Sequence, residues 1–113
     1  MFKLVRDRIP ELIQQSGQVC NYAETKNKEF FVELLRAKLI EETNEFLMSG
    51  NVDELADIKL VIETIAEVLG YSKEQLEKIY EDKNKERGKF ENKYIIFLPD
   101  PQRVQETDNE QNN

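Results

Sequence analysis

Histidine is absent from this chain of 113 residues, and cysteine occurs once, as Cys20. Without histidine there is no His-based catalytic triad, and with one cysteine there is no internal disulfide and almost no means of holding structural zinc. Any acid–base or metal chemistry must therefore depend on carboxylates, lysine, arginine and tyrosine. This sparing use of cysteine is typical of the reducing cytoplasm, where we expect the protein to be located.

Long hydrophobic segments are also missing. No apolar run approaches the roughly 20 residues that a membrane-spanning helix needs. The opening MFKLVRDRIP is charged from Lys3 onward, unlike a secretory leader. We therefore predict no association with a membrane.

Acidic residues outnumber basic ones by 23 to 16, and the formal net charge of -7 argues against a nucleic-acid polymer as partner.

What the sequence does contain is helical periodicity, in a chain whose length favours one domain. Glycine, asparagine, serine and proline mark the ends of four helices. The predicted helices are a short one from Pro10 to before Gly17, a long one from about Asn27 to Met48, one from Val52 to Leu69, and one from Lys73 to Arg87. Asn51 with Glu54, and Ser72 with Gln75, resemble capping boxes at two of the starts.

The remaining segments are short or polar. FKLV near the start is predicted to be extended, and YIIFL, residues 94–98, is predicted to be a short strand. The predicted fold is thus all-α, an antiparallel helix bundle over residues 1–98. Residues 99–113 form a polar tail that we expect to be disordered.

Two pairs of acidic residues lie in phase with the apolar faces of their helices. At 100° per residue, Glu42 falls inside the apolar stripe of the long helix and Glu45 lies at its edge. In the next helix Glu54 falls inside the stripe and Asp57 lies at its edge. Most E-x-x-E pairs only form a solvated helix face, but two such pairs on either side of one turn make that interpretation much less favourable here.

The turn around Gly50 predicts how the four acids meet. A short connection favours an antiparallel helix pair, in which Glu45 and Glu54 lie at one height, and Glu42 and Asp57 at another. Converging buried carboxylates repel one another and are costly to ionise without a partner. A divalent cation relieves both problems, and oxygen ligands suit Mg²⁺ or Mn²⁺.

Basic residues near both ends could serve an anionic ligand. Lys83 and Arg87 continue the apolar face of the last helix, and Asn84 is adjacent. In KLVRDR, Lys3 and Arg6 are further candidates for substrate binding. Stabilisation of the helix dipole and surface solubility are the simpler explanations of these residues. Together with a cation site, however, they suggest a polyphosphate as ligand.

The spacing E-E-x-x-E and then E-x-x-D, from Glu41 to Asp57, resembles the all-α nucleoside triphosphate pyrophosphohydrolases of the MazG-like superfamily. KLVRDRIPELI and KNKERGKF look like a subgroup described as phosphoribosyl-ATP pyrophosphohydrolase-like, and the resemblance covers roughly residues 2–98. It implies a four-helix-type fold assembled as homodimers or homotetramers. It also implies Mg²⁺-dependent cleavage of a nucleotide to the monophosphate and pyrophosphate.

The resemblance also implies roles for individual residues. The family's metal ligands match Glu42, Glu45, Glu54 and Asp57. Its downstream basic motif, expected to contact phosphate or sugar, matches Lys83, Asn84 and Arg87. The segment between the two acidic motifs is shorter here than is usual in the family.

We therefore predict hydrolysis of a nucleoside triphosphate, with a standard or a modified base, between the α and β phosphates. Glu41 or Glu45 would orient or deprotonate the attacking water. An alternative prediction is that the enzyme hydrolyses phosphoribosyl-ATP. A helical regulatory module that binds nucleotide or metal without turnover is the non-enzymatic alternative.

Overall fold

The computed structural model of the chain describes residues 2–98, so the predicted tail of residues 99–113 lies outside the described part. It contains four helices: α1 (Ile9–Gln15), α2 (Lys28–Ser49), α3 (Val52–Val68) and α4 (Lys73–Arg87). Since residues 2–98 contain helices and no strand, the all-α prediction is confirmed. None of these helices combines the length and the apolar character that crossing a membrane requires.

Two compact units divide the chain, the first ending at Tyr80 and the second beginning at Glu81. The boundary falls inside α4, so the first half of that helix belongs to one unit and the second half to the other. The single domain over residues 1–98 stays a prediction.

The α2–α3 hairpin is the centre of the first unit. Asn27 caps α2 by accepting a hydrogen bond from the Phe30 N–H at 2.8 Å. The helix ends at Gly50, whose φ of 66° is left-handed, a conformation that glycine adopts without steric cost. Asn51 then caps α3 through the Asp53 N–H at 2.9 Å. These short-range signals turn the chain back on itself within two residues.

The interior of this hairpin is small. Leu35 and Val61 are the buried apolar side chains of the described residues, and Glu42 is buried between the same two helices. The other members of the predicted α2 stripe are half-buried, namely Phe31, Val32, Leu39 and Phe46. Three residues of the predicted α3 stripe are instead exposed, Leu55, Ile62 and Leu69. One helix pair covers only one side of each helix, which is why these side chains stay exposed in the single chain.

The N-terminal segment lies along the hairpin. Residues 2–6 adopt neither helix nor strand. The rings of Phe2 and Phe30 pack edge to face near the start of α2, with ring centroids 5.8 Å apart. Leu4 and Ile9 are half-buried. This segment therefore reaches the face of the hairpin that carries the acidic residues.

The last helix begins as predicted and the last segment does not fold as predicted. Ser72 Oγ accepts from the Gln75 N–H at 3.1 Å, and Gln75 Oε1 accepts from the Ser72 N–H at 2.7 Å, which is a complete capping box. The strand predicted for residues 94–98 is not formed. A strand needs a neighbouring strand for its backbone hydrogen bonds, and residues 2–98 provide none.

Candidate metal centre

Five carboxylates from α2 and α3 converge on one place in the first unit. Oxygens of Glu41, Glu42 and Glu45 lie within 4.8 Å of one another, and so do oxygens of Glu42, Glu54 and Asp57. Glu42 belongs to both groups and so links them. The structure thus groups three of the four predicted metal ligands, Glu42, Glu54 and Asp57. The fourth, Glu45, is grouped with Glu42 and with Glu41, which was predicted to act on the attacking water.

Glu42 is the most buried member of this acidic cluster. Its residue surface is 6% exposed, and its Oε2 forms an ion pair with Lys38 Nζ at 3.2 Å. Its Oε1 is fully buried and has no hydrogen-bond partner. A buried carboxylate oxygen without a partner is costly to the fold. This oxygen is therefore the strongest structural sign that the cluster is arranged for a ligand.

The electrostatics of the cluster differ between its members. Partial burial, followed by the negative charges of Glu45, Glu42 and Asp57, raises the pKa of Glu54. Partial burial also pushes the pKa of Glu41 upward, but a hydrogen bond from Lys3 and the charge of Lys38 outweigh it, and the net shift is downward. Neighbouring negative charges thus repel the Glu54 carboxylate, and a bound cation would relieve this repulsion. Glu41, in contrast, is already paired with Lys3 and Lys38.

Basic side chains surround the cluster. Lys3 Nζ contacts Glu41 Oε2 at 3.0 Å, and this contact raises the pKa of Lys3. Arg6 Nη2 donates to Asp57 Oδ1 at 2.7 Å. Both residues were predicted to bind substrate, and the structure places both on acidic side chains of the cluster.

Lys38 was not predicted as part of the site. Its Nζ lies 3.2 Å from Glu42 Oε2 and 3.5 Å from Glu41 Oε1, and its side chain is 16% exposed. Sequence spacing contains the signal, because Lys38 precedes Glu41 by three residues and Glu42 by four, the separations at which helical side chains meet.

A groove of about 860 Å³ opens beside the cluster. The N-terminal segment from Lys3 to Ile9 forms one wall, and apolar residues of the hairpin, including Phe31 and Leu60, form the other. Glu42 and Asp57 lie at this groove. The arrangement offers carboxylate oxygens and basic side chains beside a partly apolar wall.

The remaining predicted residues belong to the second unit. Lys83 and Arg87 are exposed and Asn84 is half-buried. The apolar residues Ile79 and Tyr80 just before them are exposed as well. Participation of these three residues in the site stays a prediction from the sequence.

The donor atoms fit a hard divalent cation. All candidate ligand atoms are carboxylate oxygens, which suit Mg²⁺ and Mn²⁺, and the partnerless Glu42 Oε1 is the acceptor that such an ion would satisfy. No family model, curated protein or solved structure matches this chain.

Proposed function

We propose that the chain is a divalent-cation-dependent nucleotide pyrophosphohydrolase, which cleaves a nucleoside triphosphate to the monophosphate and pyrophosphate. The observation that carries the proposal is the buried, partnerless Glu42 Oε1 among four other carboxylates. A merely solvated acidic face has no reason to bury such an oxygen. The E-E-x-x-E and E-x-x-D motifs add the reaction type by resemblance.

Glu42, Glu45, Glu54 and Asp57 are the proposed ligands of Mg²⁺ or Mn²⁺. A bound ion of this kind polarises phosphate oxygens and lowers the pKa of a coordinated water. Lys38 holds Glu42 from the protein side through Oε2 at 3.2 Å. Glu42 Oε1, which has no hydrogen-bond partner, would remain available to hold the ion.

Between the two candidates for orienting the attacking water, the contacts favour Glu45. Glu41 Oε2 is engaged by Lys3 and Glu41 Oε1 by Lys38, and the pKa of Glu41 is lowered, so this group is a poor proton acceptor. Glu45 lies in the same helical turn and is exposed. We assign Glu45 to the water and Glu41 to anchoring Lys3.

The basic residues would bind the phosphate oxygens of the substrate. Arg6 and Lys3 border the cluster at the groove, and their charge-assisted bonds are of the kind that recognise phosphate. Lys83, Asn84 and Arg87 are proposed as further phosphate or sugar contacts on the strength of the KNKERGKF motif. The resemblance also makes a homodimer or homotetramer the proposed assembly.

The test is pyrophosphate release from a panel of nucleotides that includes standard triphosphates, base-modified triphosphates and phosphoribosyl-ATP. We expect release that requires Mg²⁺ or Mn²⁺ and is abolished by chelator. Glu33→Gln is a matched control, because Glu33 is an exposed acid on the same helix, and this variant should retain full activity.

Activity that persists in chelator, or release of orthophosphate in place of pyrophosphate, would contradict the proposal. Tight cation binding without turnover of any nucleotide in the panel would instead identify a non-catalytic binding module.

A further inference from the structure

Arg6 and Asp57 form a long-range ion pair at the edge of the candidate metal centre. The Nη2–Oδ1 distance is 2.7 Å, and 51 positions separate the two residues in sequence. Asp57 is one of the three residues in the acidic group on the α3 side. A guanidinium thus occupies one oxygen of a carboxylate that the proposed function assigns to a divalent cation.

The guanidinium and a divalent cation make competing demands on Asp57. A carboxylate has enough lone pairs for two partners. However, a cation bound to Asp57 would lie within a few ångströms of the Arg6 guanidinium, and two positive groups so close together repel each other. Occupancy by the ion therefore weakens the Arg6 contact, and the Arg6 contact weakens binding of the ion.

Arg6 is also exposed enough to withdraw from its carboxylate. Its side chain is 52% exposed and belongs to residues 2–6, which have no helix or strand to fix them. Lys38, in contrast, is largely buried and held on the same helix as its partner Glu42. Lys3 contacts Glu41, which is outside the group that contains Asp57.

We propose that Arg6 is a built-in counter-ion of the metal centre, which neutralises Asp57 when no cation is bound and is displaced when a cation binds. This inference rests on the proposed cation site and adds a regulatory feature to it. Binding of the ion then sets free a guanidinium at the groove, so the N-terminal segment responds to the metal before any nucleotide is present.

The test compares Mn²⁺ affinity of the original chain, Arg6→Gln and Arg8→Gln, measured by the free-Mn²⁺ electron paramagnetic resonance signal at fixed ionic strength without nucleotide. Arg8→Gln is the matched control, since it removes the same charge from the same segment. Arg8 pairs with Glu11 at 3.3 Å and not with the cluster. We expect Arg6→Gln to bind Mn²⁺ on the order of threefold more tightly than the original, as loss of one exposed ion pair allows. The Mn²⁺ affinity of Arg8→Gln should be closer to that of the original than the affinity of Arg6→Gln is.

Equal affinities of Arg6→Gln and Arg8→Gln, or weaker binding by Arg6→Gln, would overturn the inference while leaving the cation site intact. Saturable Mn²⁺ binding only by Arg6→Gln would support it. Absence of Mn²⁺ binding by all three proteins would overturn both the inference and the proposed function. Melting temperatures in chelator distinguish a structural role of Arg6 from its role as a counter-ion. If the role is only structural, Arg6→Gln lowers the melting temperature without changing Mn²⁺ affinity.

Discussion

Glu42 combines two features that are unfavourable to a folded protein. Its carboxylate is buried between α2 and α3, and one of its oxygens has no hydrogen-bond partner. Lys38 offsets the negative charge at the other oxygen only. In the absence of a cation, the native state therefore includes a desolvation cost that a neutral side chain of similar shape would avoid.

Glu42→Gln should consequently separate stability from activity. Pyrophosphate release should fall by at least about 100-fold, more than the loss of an outer-shell partner costs. In chelator the variant should unfold at the same or a higher temperature than the original, because desolvation and like-charge repulsion are relieved while Lys38 keeps Glu41 as an ion-pair partner. Thermal melts with Mg²⁺ and with chelator provide the comparison.

The response to Mg²⁺ gives the second half of this test. At a concentration about 100 times the Kd, the original should gain about 2.7 kcal/mol, and the variant much less. Glu33→Gln, on the exposed face of α2, should behave as the original throughout. Equal Mg²⁺ shifts in Glu42→Gln and the original, with turnover retained, would remove Glu42 from the ligand set.

At the scale of single residues, the sequence predicts the acidic residues of the site better than the basic residues that pair with them. The burial of Glu42 follows from its phase within the apolar stripe, which is a local property of the helix. The pairs Lys3–Glu41 and Arg6–Asp57 join residues far apart in the chain, and no periodicity encodes them. Lys38 lies between these cases, since its spacing to Glu41 and Glu42 is local, but its low exposure depends on how the chain packs.

Among the elements, the turn between α2 and α3 determines which acids face one another. Gly50 has a φ of 66° and donates its N–H to the Phe46 carbonyl at 2.8 Å. A Cβ added there would meet no atom within 4 Å, so an alanine would suffer from backbone strain alone. Substitutions at Gly50 therefore test the backbone conformation of the turn without changing side-chain packing.

Gly50→Ala should lower the free energy of unfolding by about 1 kcal/mol, the cost of a left-handed alanine. Gly50→Asn should retain most of the stability, because asparagine tolerates this conformation. Urea unfolding in chelator measures both. Indistinguishable midpoints for the original, the alanine and the asparagine variants would mean that the left-handed turn is not required.

Helix bounds were predictable to within a residue or two because caps and glycines mark them locally. The capping box at Ser72 formed as expected, whereas Asn51 and Glu54 did not form one. The Asn51 N–H instead donates to Ser49 Oγ at 3.1 Å, and Glu54 faces the acidic cluster. The predicted strand failed for the opposite reason, since β-propensity in residues 94–98 cannot supply a pairing partner.

For the molecule as a whole, the prominent feature is how little of the apolar surface the single chain covers. Leu55, Ile62 and Leu69 follow the α3 stripe yet are between 43% and 61% exposed. A small chain buries a modest core, and association with a second copy would enlarge it. The predicted homo-oligomer would have this effect.

Ile62→Asp should therefore shift the protein toward monomer and lower its melting temperature, as expected when a charge replaces an apolar residue at an interface. Val19→Asp is the control, because Val19 is exposed and lies outside the helices. Size-exclusion chromatography with light scattering reads the mass of each. A monomeric original at concentrations near 100 µM, or an Ile62→Asp protein that associates as the original does, would contradict the predicted assembly.

The boundary between the two units was not predictable. Helical periodicity continues across Tyr80 and Glu81 without a glycine or proline, so the local pattern contains no mark of it. The exposed α3 residues were missed for a related reason. Periodicity identifies which side of a helix is apolar, but which part of that side a neighbouring helix covers depends on the complete set of packed elements.

The α2–α3 hairpin places all the proposed ligands within residues 41–57. Closing so short a stretch of chain loses little loop entropy, and local contacts form early in folding. The acidic site is thus a property of one helical hairpin and does not wait for distant parts of the chain to arrive. In evolutionary terms, such a hairpin is a portable module: it could be carried into another helical protein with the arrangement of its carboxylates intact, while its basic partners are acquired separately.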